Sequence, residues 1–355
     1  MKEKIIFREE PLIDREKERG FIKEWFEKTP KEMLWIYGPK STGKTTIIEY
    51  IVENELFDDF KFLKSEKYNV KYINFRRKLF GNYESFINSM LFVDRNKISE
   101  SLKMTINLGV FKVEYQDYEE VKAKRMDLFD LLFNQLKKSK KRNILIFDEI
   151  QSLEDIYLDK ERLLLNEFLN FCVSLTKESH ISHVILLSSN TLFINKIYNN
   201  AKLKVTSQFY KISHLKKETM FEWFREDFEN EEELELVYEY LGGSIAHIQR
   251  LTRMLEMNRF DSLPEALEDM ASMAESEIIL KFRHLSDDEI EAFKQISKDI
   301  IENGYFNLRT NPNNDILNKV IDEFCEIEIL FFELSNNKVY ANSKIYEKAM
   351  ELLLK

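Results

Sequence analysis

Glycine occurs eight times in 355 residues. Two of those eight frame the stretch Gly38-Pro39-Lys40-Ser41-Thr42-Gly43-Lys44-Thr45, which constrains this chain more than any other. An apolar run, Met33-Leu34-Trp35-Ile36-Tyr37, precedes it and reads as a buried strand. Behind it, Thr46-Ile47-Ile48-Glu49-Tyr50-Ile51-Val52-Glu53 repeats apolar residues at helical spacing. Strand, glycine-framed loop and helix form the context in which G-x-x-x-x-G-K-[ST] cradles a polyphosphate. Successive N–H groups face one concavity there, and the helix dipole adds positive potential.

Each residue type has a task in that cradle. Gly38 and Gly43 permit backbone angles and a close approach that a side chain would block, and Pro39 fixes one loop angle. Lys40, Ser41, Thr42 and Thr46 complete the candidate binding set with main-chain N–H groups. Lys44 is expected to reach the β- and γ-phosphates, and the Thr45 hydroxyl to ligate Mg2+.

A second motif is Asn143-Ile144-Leu145-Ile146-Phe147-Asp148-Glu149-Ile150-Gln151, four apolar residues running into two acids. Asp148, at the carboxyl end of such a strand, can hold Mg2+ through water, and Glu149 can polarise an attacking water. Glu149 and Lys44 are therefore the candidate catalytic residues, and Thr45 and Asp148 the candidate metal ligands.

Composition narrows the setting. A net charge of −10 and a pI near 5.3 argue against whole-surface affinity for nucleic acid or an anionic membrane. The densest basic run, Lys137-Lys138-Ser139-Lys140-Lys141-Arg142, reads as a solvated turn feeding the next strand in preference to a phosphate contact. No apolar run is long enough to span a bilayer, and acids stand where a leader peptide needs apolar residues, so the expected location is cytoplasmic. Cys172 and Cys325 give neither a disulfide framework nor a metal site, and His180 and His183 have no further ligand at metal spacing.

Taken in order, the chain reads as α/β, with a parallel-sheet core followed by helices. Asn69-Val70-Lys71-Tyr72-Ile73-Asn74-Phe75-Arg76 predicts a second strand. Residues 81–136 read as mostly helical, interrupted at 104–115 by a segment that alternates on both sides of Gly109 and suggests a small hairpin. A helix is expected over 158–179. The apolar strand Ser182-His183-Val184-Ile185-Leu186-Leu187-Ser188 then ends at Ser189 and Asn190, either of which could sense a terminal phosphate or cap the next helix. Lys211-Ile212-Ser213-His214-Leu215 reads as the last strand of the sheet.

Helices over 217–228, 231–241 and 244–256 follow, the last behind Gly242-Gly243 and carrying His247, Gln249, Arg250 and Arg253. In the tail, helical patterns over 288–302 and 314–326 precede a hairpin and a final helix from 343 to 354, an order that resembles a winged-helix domain.

With both motifs, the glycine pair and this tail in sequence, the chain resembles the archaeal ATPase family, P-loop proteins related to AAA+ and STAND ATPases. The resemblance implies an ATPase core over 1–214, a helical lid over 215–284 and a winged-helix domain over 285–355. It also implies ATP or ADP with Mg2+ as ligands, and hydrolysis that switches the arrangement of these parts, slowly without a partner. Two departures stand out. Ala201-Lys202-Leu203-Lys204 occupies the stretch where relatives carry Gly-Arg, and no proline follows Gly242-Gly243. The alternative is a DNA-associated ATPase or regulator, but residues 313–326 carry Asp315, Asp322, Glu323 and Glu326 against Lys319 alone, a balance that repels phosphate. A protein partner, or self-association through the tail, fits that surface better.

Overall fold

Three of the apolar runs become the middle of one sheet. Its five strands stand in the order Tyr68–Asn74, Arg142–Asp148, Ser182–Ser188, Met33–Tyr37, Ser207–Lys211. The first three pair in parallel, with Asn74 opposite Asp148 and Asn143 opposite Ser182. At the other edge, Met33 N donates to Thr206 O and Ile212 N to Tyr37 O, so start meets start and end meets end. Parallel neighbours need crossover segments, and helices covering both faces leave the central strands apolar throughout rather than alternating. Leu34, Trp35 and Ile36, Ile144 to Phe147 and Val184 to Leu187 are accordingly all buried.

The computed structural model describes every residue except 1–4, 9, 13–14, 78–81, 94–110, 124–125, 155, 158–162 and 311–313. The chain divides into two units, one of Met1–Ile36, Lys44–Ser188 and Asn199–Tyr210, the other of Tyr37–Gly43, Ser189–Tyr198 and Lys211–Lys355.

In the first unit, helices Glu16–Glu27, Lys44–Glu55, Leu128–Lys138 and Leu164–Val173 bury their apolar residues. Phenylalanines form a connected core: Phe147 meets Phe168 edge-on at 4.8 Å, Phe75 stacks on Phe147 at 5.9 Å, and Phe129 stacks on Phe171 at 5.0 Å. Such offset and edge contacts add about 0.5–1.5 kcal/mol per pair to the area they bury. Buried Asn143 ties the start of its strand down, donating to Leu136 O and Ile181 O at 2.9 Å each and accepting from Asn69 at 2.7 Å. The basic run before it serves the turn, with Lys141 donating to Ser65 O and Arg142 to Phe26 O.

In the second unit, helices Lys217–Phe224, Glu231–Leu241, Ile245–Glu256, Leu263–Phe282 and Asp287–Asn303 follow one another. Side-chain caps mark several starts: Asn230 and Ser262 each accept a backbone N–H, and Ser286 with Glu289 forms a reciprocal capping box. A three-stranded antiparallel sheet, ordered Phe306–Asn307, Lys338–Ala341, Leu330–Glu333, then combines with helices Asp315–Glu326 and Lys344–Leu353. The turn of its hairpin is fastened by Asn336, whose side chain accepts from Lys338 N at 3.0 Å.

The described residues depart from the sequence reading in several places. The last sheet strand is Ser207–Lys211 rather than 211–215. Ile212 N extends its ladder by one bond to Tyr37 O, and Leu215 N turns away to Gly243 O. The proposed hairpin over 104–115 lies largely outside the described residues, and its later part, Phe111–Val113, pairs in parallel with Leu91–Val93. Of the helix expected over 158–179, residues 158–162 lie outside the described residues, and the rest contains the helix Leu164–Val173 and the π turn Ser174–Glu178. Leu263–Phe282, the longest of the described helices, was not anticipated. Its apolar residues lie all round, with Met273, Ile279 and Leu280 exposed, so no single-faced period announces it.

Candidate nucleotide site

The loop from Gly38 to Gly43 contains three residues of positive φ: Gly38 at 148°, Ser41 at 61° and Gly43 at 84°. Alternation of right- and left-handed residues is what curls consecutive N–H groups into an anion-binding concavity. Gly38 has a further reason to lack a side chain, since a Cβ there would lie 2.0 Å from Ile212 O. Thr42 Oγ1 donates to Pro39 O at 3.1 Å and braces the loop from within. Lys40 N donates to Asn342 Oδ1 at 3.1 Å, and the Lys40 ammonium pairs with Glu328.

Lys44 is buried as the first residue of the helix Lys44–Glu55, followed by half-buried Thr45 and exposed Thr46. Thr45 Oγ1 donates to Asp148 Oδ2 at 2.8 Å. The same carboxylate oxygen accepts from Asn74 Nδ2 at 3.0 Å and from the Tyr72 hydroxyl at 3.4 Å. Burial pushes the Asp148 carboxyl up to about 6, against the Thr45 hydrogen bond and with the adjoining Glu149 charge adding to the rise. A hydroxyl and a buried carboxylate side by side form the hard oxygen donor set that suits Mg2+.

Glu149 sits at the joint where the strand Arg142–Asp148 gives way to the 3-10 turn Ile150–Leu153, in left-handed conformation with φ 60° and ψ 44°. Both of its carboxylate oxygens are held: Arg76 Nη2 lies 2.6 Å from Oε1, and Gln151 Nε2 donates to Oε2 at 2.5 Å. Gln151 Oε1 in turn accepts from Ser188 Oγ at 2.9 Å.

The structure thus brings Thr45, Asp148 and Glu149 together with residues that sequence reasoning did not assign, namely Tyr72, Asn74, Arg76, Gln151 and Ser188. The signal for Asn74 was strand register, which places it opposite Asp148. Of the two sensor candidates, Asn190 accepts from Phe193 N at 3.0 Å and so caps the helix Thr191–Asn199. Arg250 is exposed, with Nη2 3.5 Å from Met273 Sδ. His183 is buried edge-on to Trp25 at 4.7 Å, while His180 Nδ1 lies 2.7 Å from Pro30 O, so the two imidazoles serve separate packing roles.

Residues 12–251 match the model of an ATPase domain found predominantly in Archaea. An uncharacterized ATP-binding protein of Methanocaldococcus jannaschii is 30% identical over 353 residues, covering 95% of this chain and 99% of its own. Another from the same organism is 32% identical over 298 residues, covering 73% and 75% respectively. Among solved structures, the ORC2 protein of Aeropyrum pernix in its ADP form aligns over 96% of this chain and 94% of its own, with a TM-score of 0.51 at 11% identity, a likeness of fold. The same protein in its ADPNP-ADP complexes covers 99% and 96% at a TM-score of 0.50. The two motifs, the parallel sheet that carries them and these relatives agree, and the chain belongs to the archaeal ATPase family.

Proposed function

We propose that this protein binds ATP with Mg2+ at residues 38–46 and hydrolyses it, using the cycle to change the arrangement of its parts. The observation that carries this reading is the 2.8 Å bond between Thr45 Oγ1 and Asp148 Oδ2, which joins the two halves of a nucleotide motif. The loop N–H groups and the Lys44 ammonium would hold the phosphates, and Thr45 and Asp148 would hold the metal. Mg2+ bound there would neutralise charge as the terminal phosphoryl leaves. Glu149 would accept a proton from the attacking water. The new P–O bond forms as the bond to ADP breaks, and phosphate departs.

The switching part of the reading is supported by Lys40. Its main-chain N–H belongs to the phosphate loop, yet it is bonded to Asn342, and its ammonium to Glu328, both near the carboxyl end of the chain. Phosphate arriving in the loop would compete for that N–H. The acidic helix Asp315–Glu326 keeps its lysine, Lys319, paired with Glu289, which favours a protein-facing role for this segment over a DNA-facing one.

The test is phosphate release and ATP binding by the full chain, alone and with DNA. Turnover that Glu149→Gln abolishes while binding survives supports the assignment. Equal turnover by the wild type and Glu149→Gln overturns it.

A further inference from the structure

We infer that Gln151 is a positioning residue for Glu149, and that Ser188 sets the orientation of its amide. This rests on the reading of Glu149 as the group that receives the proton from water. The geometry is a relay: Ser188 Oγ donates to Gln151 Oε1 at 2.9 Å, and Gln151 Nε2 donates to Glu149 Oε2 at 2.5 Å.

A primary amide carries an acceptor on one side and donors on the other, so a partner fixed on one side decides what the other side presents. Ser188 is buried at the end of the strand Ser182–Ser188. Its hydroxyl, placed against Oε1, turns the NH2 group toward the carboxylate. The reversed amide would set oxygen against oxygen.

The contact is not a by-product of the turn. Main-chain bonds already close that turn, with Ser152 N donating to Glu149 O at 3.1 Å and Glu154 N to Gln151 O at 3.0 Å. Helix-like backbone also does not make neighbours of side chains two residues apart. The left-handed Glu149 reverses the chain so that its carboxylate returns to the amide two positions on.

Arg76 holds the other oxygen, but the two contacts differ in kind. The Arg76 side chain is 68% exposed against 11% for Glu149, so its attraction is screened and its side chain is free to leave. Gln151 is neutral and shielded. It can hold Oε2 in place without cancelling the charge that makes the carboxylate a base, which a lysine or arginine at this position would do. When Arg76 departs, Oε1 is left directed and available to water.

The experiment measures kcat and KM for ATP hydrolysis, with ATP affinity by titration, for the wild-type chain, Gln151→Ala, Ser188→Ala and Ser188→Thr. Gln151→Ala is expected to lower kcat about ten- to a hundredfold, with ATP affinity within about twofold of wild type. Ser188→Ala should lower kcat in the same way, and Ser188→Thr, which restores the hydroxyl, should recover it. A Gln151→Ala protein with wild-type kcat overturns the inference alone, as does a loss of kcat matched by an equal loss of ATP affinity. A wild type that binds ATP but never hydrolyses it overturns the assignment of Glu149, and this inference with it.

Discussion

Thr45 Oγ1 donates to Asp148 Oδ2 across 2.8 Å, although 103 positions separate the two residues in the chain. Neither motif forms a site by itself. The strand Arg142–Asp148 delivers a carboxylate at its end, the helix Lys44–Glu55 delivers a hydroxyl in its first turn, and the sheet brings the two together. Each element of that meeting has a measurable consequence.

Asp148→Asn should stabilise the protein without nucleotide and weaken its binding of Mg-ATP. The carboxyl is held near 6, above the ordinary carboxylate range, so the folded state keeps a proton that the unfolded chain has lost. Stability therefore falls as pH rises from about 4 through 6, by about 2–3 kcal/mol, and the asparagine variant escapes that fall. Denaturant unfolding at pH 4 and pH 7 checks this: the two proteins should match at the lower pH and separate at the higher.

Lys44→Ala should lose both ATP binding and turnover, whereas Glu149→Gln should keep binding and lose turnover by at least about a hundredfold. Parallel titration and single-turnover measurements separate the two.

Gly38→Ala should cost more than about 2 kcal/mol of stability, since the residue combines φ of 148° with a Cβ position 2.0 Å from Ile212 O. Chemical denaturation gives the number. An alanine variant as stable as the wild type would contradict the close approach.

His183→Leu should protect the protein in mild acid. Burial lowers the His183 imidazole to about 4, with the Arg142 charge acting in the same direction, so the unfolded chain takes up a proton that the folded one refuses. The wild type then loses stability as pH falls from about 6.5 toward 4, and the leucine variant should gain about 2 kcal/mol at pH 5 relative to pH 8. Melting curves at the two pH values test the sign.

Asn342→Ala should tighten ATP binding about two- to tenfold, the worth of one hydrogen bond that nucleotide no longer has to displace from Lys40 N. Equilibrium titration decides it. Unchanged affinity would mean that this N–H takes no part in phosphate binding.

The fold was legible where one face or one motif dominates a segment. The loop of residues 38–45, the strand ending at Asp148 and the two strands of the terminal hairpin follow from spacing alone. What escaped depends on partners distant in sequence. Asn74 and Tyr72 reach Asp148 through strand register, and nothing local in Asn69-Val70-Lys71-Tyr72-Ile73-Asn74 states which strand lies beside it. Gln151 stood in plain view beside the acidic pair, but its link to Glu149 requires the left-handed turn between them, a conformation that residue type does not announce for glutamate. Sequence spacing places the last strand at 211–215 because Ser207-Gln208-Phe209-Tyr210-Lys211 mixes polar and aromatic residues, whereas the stronger apolar residue, Ile212, lies just past its end.

With Glu149 proposed as the group that receives the proton from water, its left-handed backbone sets stability against chemistry at a single position. Glycine or asparagine would occupy φ 60° more comfortably, and a glutamate held there costs about 1–2 kcal/mol. Glu149→Gly should therefore give a protein harder to melt and unable to turn over. Thermostabilising selection carried out without an activity screen would drift toward that replacement and discard the carboxylate.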